Sequence, residues 1–410
     1  MKLGYACIPF SIEERTNKSF RLSNLSKERF YQTTQQNIEG LKNILTWNIQ
    51  HDIFLFRISS DIIPFGSHPD NKFNWANDFK PDLREIAGII EKNKIRVSFH
   101  PGQYTVLNSP KEKVRQQAMN DLVYHCRFLD EMELDYTHKV VLHCGGVYND
   151  KLKSMARLKD ILSEVPKNVL SRLVLENDDK SYDIADTLEV ANHANIPVIF
   201  DLFHHRCNSP TKKNEYYWFK KSVNTWSKKD GVPKVHYSNQ AEGKKIGSHS
   251  LTISSEDFIE FYNKYKNYNV DVMLEVKDKE LSVLKCQNLV NDGLSVKHRT
   301  DIWALYKYAV MEKDYSLYKE CSKVINSDIN ITEFYKIVDK AILMPINYGS
   351  FANAAEHIWG YFKNQATQSE KKRFFDTLKQ RDVKKVKKIL WALTKKYNNE
   401  YLKKSYFFCY

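Results

Sequence analysis

The sequence predicts an α/β fold: a (β/α)8, or TIM, barrel over residues 1–294, followed by a mostly α-helical domain over 295–410. Three observations lead there. Short, nearly continuous runs of Val, Ile, Leu and Phe recur eight times, as in strands covered on both faces. Helix-period stretches separate them. After about residue 295 the strand signals stop and helical patterns continue alone.

The strands are read at 2–8 (KLGYACI), 53–58 (IFLFRI), 95–99 (IRVSF), 139–143 (KVVLH), 171–176 (SRLVLE), 197–201 (PVIFD), 233–237 (PKVHY) and 270–276 (VDVMLEV). Helix candidates lie near 26–48, 80–93, 111–133, 151–164, 181–194, 213–228, 255–266 and 278–291. LSKERF and SSEDF set Ser ahead of acidic residues, as N-caps do. Eight such units match a barrel of roughly 250 residues or more. An open doubly wound sheet would want a glycine-rich first turn, and YACIPFSI offers none. Beyond 295, helices are read in RTDIWALYKYAVMEKDYSLYKECSKVI, ITEFYKIVDKAI, ANAAEHIWGYFKNQ and SEKKRFFDTLKQRDVKKVKKILWALTKKYNNEYL.

The composition is 42% hydrophobic and 28% charged, ordinary for a globular protein. MKLGYACIPF lacks the regions of a signal peptide, and no apolar run approaches the ~20 residues of a membrane helix. Seven cysteines without a C-x-x-C pair argue for reduced thiols and against a disulfide scaffold or cysteine–zinc site. An intracellular, soluble monomer without membrane contact is expected. Residues 295–410 carry 22 Lys and Arg against 12 Asp and Glu, so +10 of the net +13. That excess fits either a polyanionic partner, most simply nucleic acid, or a solvated lysine-rich surface. In RDVKKVKKILWALTKK, Lys384, Lys385, Lys388 and Lys395 can share one helix face, and Val386, Ile389, Leu390 and Leu393 a packed one.

Barrel enzymes take their chemistry from the C-terminal ends of strands and the loops beyond. Strand two leads to His68. Strand three ends at His100, four at His143, five at Glu176 and six at Asp201, with His204 three residues on. Strand seven carries His236, its loop His249, and strand eight ends at Glu275. One strand-end histidine is usually a polar tip reaching water. Five histidines, two glutamates and an aspartate around one mouth are a ligand set for Zn, Mn or Fe. Without a cation the carboxylates would repel one another. Eight ligands exceed one four-coordinate ion, so two or three metals are expected, with Glu176 placed to bridge.

Lys234 lies two residues before His236 and shares its side of the strand. A plain ammonium there would be repelled by divalent ions. It is either uncharged, or capped by CO2 as a carbamate, or turned by strand twist towards the helices. The residues alone slightly favour the last.

The segments LGYACI, LFRISSDIIPFGSHP, HPGQYTVLNSP, VVLHCGGVYNDK, LVLENDD, PVIFDLFHH, PKVHYS with GSHS, and DVMLEVKDKE resemble, in order, those of the UV damage endonucleases. The resemblance covers nearly all of 1–290. It implies a TIM-barrel phosphodiesterase related in architecture to endonuclease IV. Its partner would be UV-damaged double-stranded DNA, cut immediately 5′ of cyclobutane pyrimidine dimers and 6-4 photoproducts to leave 3′-hydroxyl and 5′-phosphate ends. It implies up to three divalent metals, Mn2+ first, with Zn2+, Mg2+ or Co2+ as other candidates. The ligand positions fall on His100, His143, Glu176, Asp201, His204, His236, His249 and Glu275. A carboxylated lysine falls on Lys234, which reverses the outward-facing reading. His68 matches a histidine lining the site, Gln103 and Tyr104 a pair that wedges into the duplex, and Tyr5 an aromatic of the damage pocket.

Pro9 stands where some members have Asn, which places one lesion contact in doubt. The C-terminal EHIWGYFK, SEKKRFFDTL and LKKSYFF resemble a small helical domain of unknown function in other bacterial and viral proteins. We expect Glu176 to bridge, Asp201 and Glu275 to hold one ion, His100 and His143 another, and His204 and His249 a third. The alternatives are an abasic-site endonuclease, a sugar isomerase, or a non-catalytic lesion binder. An isomerase needs neither a wedge loop nor a basic tail, and a binder would tolerate missing ligands.

Overall fold

The computed structural model describes residues 1–210, 214–291, 293–327 and 331–409. The chain forms two compact units. One is Met1–Ser250 with Tyr265–Val283; the other is Leu251–Lys264 with Leu284–Tyr410.

The first unit holds a closed barrel of parallel strands in chain order: β1 (Leu3–Ala6), β2 (Leu55–Arg57), β3 (Arg96–Phe99), β4 (Lys139–His143), β5 (Leu173–Glu176), β6 (Val198–Asp201), β7 (Lys234–Tyr237) and β8 (Asp271–Leu274). β1 closes on β8 through Gly4 opposite Met273. The strands are shorter than the apolar runs in the sequence. Cys7, for instance, adopts a positive φ of 70° and ends β1 before the run does.

Strand alternation stacks the interior in layers. At the N-terminal end, Arg96 pairs with Asp271 at 3.1 Å and Lys139 with Asp230 at 2.6 Å, all buried. Above them Val141, Val174 and Ile199 form a fully buried apolar cluster. Two residues further along the same strands stand His143, Glu176 and Asp201. The barrel floor therefore holds the strand ends of the mouth rigidly.

Helices follow the sequence closely, as in Lys27–Gln50, Lys80–Lys92, Glu112–Glu131 and Lys151–Glu164. Ser26 caps the first of these, accepting from the Arg29 amide. The helix read from 181 starts at Ile184, because Asp183 accepts from the amides of Ala185 and Asp186 and so forms the cap. The helix read over 213–228 is Glu215–Val223; Lys213 lies outside the described residues. Three short helices went unread, Trp75–Asp78, Lys167–Arg172 and Leu202–Cys207. None is long enough to show a period.

The second unit is helical. Phe351, Ile358, Phe362, Phe374, Leu390 and Phe407 are fully buried in its core. Val386, Ile389, Leu390 and Leu393 supply one face of the helix Val383–Lys396 to that core. Helix Ser255–Tyr265 is tied to this unit by Asp339, whose carboxylate accepts from the Ser255 amide at 2.8 Å and from its hydroxyl. Among the described residues, no helix is long and apolar enough to cross a membrane.

Candidate metal centre

The strand register sets the ligands side by side. His143 is paired opposite Glu176, and Asp201 opposite His236. Two groups have ligand atoms within 4.8 Å of one another: His100, His143 and Glu176, and Glu176, Asp201, His236 and Glu275. Glu176 belongs to both. Its Oε2 lies 3.0 Å from His100 Nε2 and 3.8 Å from His143 Nε2. Its Oε1 lies 2.6 Å from His236 Nδ1. His236 Nδ1 is also 3.1 Å from Glu275 Oε1.

The surroundings orient these rings. His100 Nδ1 faces the Pro101 carbonyl at 3.1 Å, and His143 Nδ1 the Glu176 carbonyl at 3.4 Å. A ring that donates from Nδ1 to a carbonyl presents a bare lone pair at Nε2. In that tautomer both Nε2 atoms, directed at one oxygen of Glu176, are free to ligate an ion together with the carboxylate. The buried Asp201 Oδ2 likewise has no hydrogen-bond partner. These features fit a metal.

Charge adjusts the groups further. Burial would raise the Glu176 carboxyl, but His236 and His143 and the bonds from His100 and His236 hold it well below the usual range. Burial pushes the Asp201 carboxyl up, with Glu176 and Glu275 adding to the rise. His204 lies 3.6 Å from Asp201 and 3.8 Å from Glu176. Burial opposes its proton, yet Asp201, Glu176 and Glu275 outweigh burial and raise it to about 9.

His204 and His249 stand next to the two groups rather than within them. Their rings are 5.9 Å apart. His249 Nδ1 is 2.9 Å from the Ser238 hydroxyl. Lys234 is buried two residues before His236 on β7, paired opposite Asp271 of β8, its amine without a hydrogen-bond partner. Burial, with Arg96 and Arg57 nearby, lowers its basicity far below that of an ordinary lysine.

His68 is half exposed in the loop after β2, beside Phe65 and Asp70, and joins neither group. Gln103 and Tyr104 project from the loop after β3, Tyr104 with 83% of its surface exposed. Tyr5 lies on β1. It is fully buried, edge-on to Phe56, and its hydroxyl donates to Asn48 at 2.9 Å.

Two residues were missed. Arg57, at the end of β2, donates to Glu275 and lies 3.2 Å from His236 Nε2. Its position at a strand end in LFRISS was the available signal. Asn177 exchanges hydrogen bonds of 3.0 Å with the Asp201 backbone, and its carbonyl lies 3.0 Å from His204 Nδ1.

The fold and this cluster define a parallel α/β-barrel protein with a buried histidine–carboxylate centre at the C-terminal mouth. Residues 1–303 match the family model described as UV-endonuclease UvdE, and residues 307–410 one described as a protein of unknown function, DUF1722. A UV DNA damage endonuclease of Clostridium perfringens is 40% identical over 401 residues, covering 97% of this chain and 96% of its own. One from Bacillus cereus strain Q1 is 36% identical over 271 residues, covering 65% of this chain and 84% of its own. The crystal structure of SacUVDE matches with a TM-score of 0.67 at 40% identity, covering 70% of this chain and 96% of that one. The chain belongs to the UV DNA damage endonuclease family.

Proposed function

We propose that the protein is a DNA-repair endonuclease that hydrolyses the phosphodiester immediately 5′ of UV photoproducts in duplex DNA, using two to three divalent metals. The observation that carries this is the division of Glu176 between two ligand groups in a chain of this family. Divalent ions bound there, with Mn2+ the first candidate, would neutralise the phosphodiester, supply hydroxide near neutral pH and stabilise the leaving oxygen.

The chain's own residues hold that chemistry in place. Glu176, Asp201 and Glu275 would supply carboxylate oxygens to these ions, and His100, His143 and His236 imidazole nitrogens; His204 and His249, next to the two groups, would extend the cluster to a further ion. Arg57 anchors Glu275 and His236 from the second strand. Lys234 supports carboxylation: a buried amine with lowered basicity keeps its lone pair free. The nitrogen attacks the carbon of CO2, one C=O electron pair moves to oxygen, and the amine proton leaves, giving an anionic carbamate. His68 lies on the loop after β2, within the family's motif for that position. Gln103 and Tyr104 fill the stack opened at the lesion. Photodimers stack and pair poorly, so extruding them costs less than extruding normal bases.

The test is nicking of UV-irradiated against untreated supercoiled plasmid with Mn2+, and again with chelator. Cleavage restricted to irradiated plasmid and abolished by chelator is expected. Equal nicking of both plasmids, or none of either, refutes the reading.

A further inference from the structure

Three large apolar side chains in the barrel unit are far more exposed than any other among its described residues: Tyr104 at 83%, Leu152 at 78% and Ile246 at 69%. The next, Tyr148, is 42% exposed. All stand on the segments that follow strands at the mouth, Tyr104 after β3, Leu152 after β4 and Ile246 after β7. In a ring of eight strands, β3 and β7 lie opposite each other. Single exposed apolar residues are common on protein surfaces. Their concentration around one mouth, over the ligand cluster, is not explained by that.

The Ile246 loop is rigid without help from Ile246. The Ala241 amide donates to the Ser248 carbonyl at 2.7 Å, and the Ser250 amide to the Asn239 carbonyl at 2.9 Å. The Gln240 side chain clamps the tip, donating to the Lys245 carbonyl and accepting from the Gly247 amide, each at 3.0 Å. Gly247 has a φ of +86°, and a Cβ there would meet the Asp179 carboxylate at 2.2 Å. The same hairpin carries His249 opposite Gln240, so its geometry is tied to the candidate centre. Lys244 and Lys245, both exposed, precede Ile246, and exposed Lys153 follows Leu152. Among the described residues none of the three forms an ion pair. An apolar tip beside free cations suits a nucleic-acid groove bounded by phosphates.

We propose that Ile246 and Leu152 are duplex contacts of the mouth, each pressing an apolar side chain into the groove beside the lesion, with Lys244, Lys245 and Lys153 on the flanking phosphates. This rests on the endonuclease reading above. The test uses the full chain with Ile246→Ser, Leu152→Ser and the double variant Lys244→Gln/Lys245→Gln. Fluorescence anisotropy with chelator present reads affinity for a duplex bearing one photoproduct and for its undamaged counterpart; thermal melting reads the fold. Each serine variant should weaken binding to the damaged duplex roughly tenfold, and the undamaged duplex less, as expected for wedges. The lysine variant should reduce the slope of log affinity against log salt by about 1.8, for two lost phosphate contacts. Melting should stay as in the parent chain. Parental affinity in all three variants, with the parent still nicking irradiated plasmid, overturns this proposal and leaves the endonuclease reading standing. A large drop in melting temperature also overturns it, by showing that these side chains serve the fold. Failure of the parent chain to bind or nick irradiated DNA overturns both.

Discussion

Glu176 Oε1 lies 2.6 Å from His236 Nδ1, with both side chains fully buried in the barrel. The other oxygen of the same carboxylate is 3.0 Å from His100, the residue that follows β3. One residue therefore joins two ligand groups, and its removal should separate them. Glu176→Gln keeps the shape but halves the acceptor capacity and removes the charge. Losing an outer-shell partner of a metal site costs roughly 10–100-fold. Losing the shared ligand should cost roughly 100-fold or more in nicking, while binding to irradiated DNA stays within about tenfold because phosphate contacts dominate affinity. Parental nicking in saturating Mn2+ would show that Glu176 holds no ion.

The unpartnered Lys234 amine predicts a split between stability and activity. An unsatisfied buried polar group costs about 1–3 kcal/mol. Lys234→Met removes that group and fills similar volume, so denaturant stability measured in chelator should hold or rise. Nicking should fall at the same time. Incubation of the parent protein with 13C-bicarbonate should give a carbamate carbon resonance that is missing from the methionine variant. A parent spectrum without that signal at neutral pH would dispose of the carbamate.

The candidate cluster was legible because two local rules suffice. Strand alternation fixes which residues share a side, and a barrel exposes its C-terminal strand ends, so His100, His143, Glu176, Asp201 and Glu275 could be picked from single strands. What depended on distant partners was not legible. Tyr5 is sealed by Phe56 and by Asn48 on the following helix, and nothing within LGYACI reveals that lid. Arg57 acquires its role from Glu275, 218 residues away. A search for metal ligands passes over an arginine, although a buried cation among carboxylates is as much part of the electrostatics as they are.

Glu280 makes stability depend on pH in a direction opposite to that of most carboxylates. Its Oε1 accepts from the amides of Phe10 and Ser11, each at 2.7 Å, while its buried Oε2 has no partner. Burial outweighs those hydrogen bonds and raises the carboxyl to about 7. The folded state thus keeps the proton up to about pH 7, whereas the unfolded chain releases it near 4.5, as an ordinary glutamate does. The associated stability is complete below pH 4.5 and is lost as pH rises through 7. At about 1.36 kcal/mol per unit, the loss is about 3 kcal/mol. Urea titrations of Glu280→Gln and the parent should nearly coincide at pH 5 and diverge at pH 8, with the glutamine variant the more stable. Equal differences at both pH values would refute this account.

The C-terminal charge makes the last prediction. Helices Gln368–Lys379 and Val383–Lys396 bound a groove lined by Arg373, Thr377, Lys385, Lys388, Ala392 and Lys396. The sequence placed Lys384, Lys385, Lys388 and Lys395 on one face; the groove takes Lys385 and Lys388 from that set and Lys396 in addition. Its charges are not equivalent. Lys385 pairs with Asp382 at 3.1 Å, and Lys396 with Glu370 at 2.7 Å. Arg373 and Lys388 form no ion pair among the described residues, so their counterions are free to be exchanged for phosphates. If the groove tracks the backbone of duplex DNA, Arg373→Gln/Lys388→Gln in the full chain should lower the salt slope of binding to undamaged duplex by about 1.8. Lys385→Gln should lower it less, because Asp382 already neutralises that side chain. Turnover on saturating irradiated DNA at low salt should be unchanged, since every proposed ligand precedes residue 280. An unchanged slope in the double variant would assign these residues to contact with another protein or to solvent, and would separate the basic character of residues 295–410 from DNA binding.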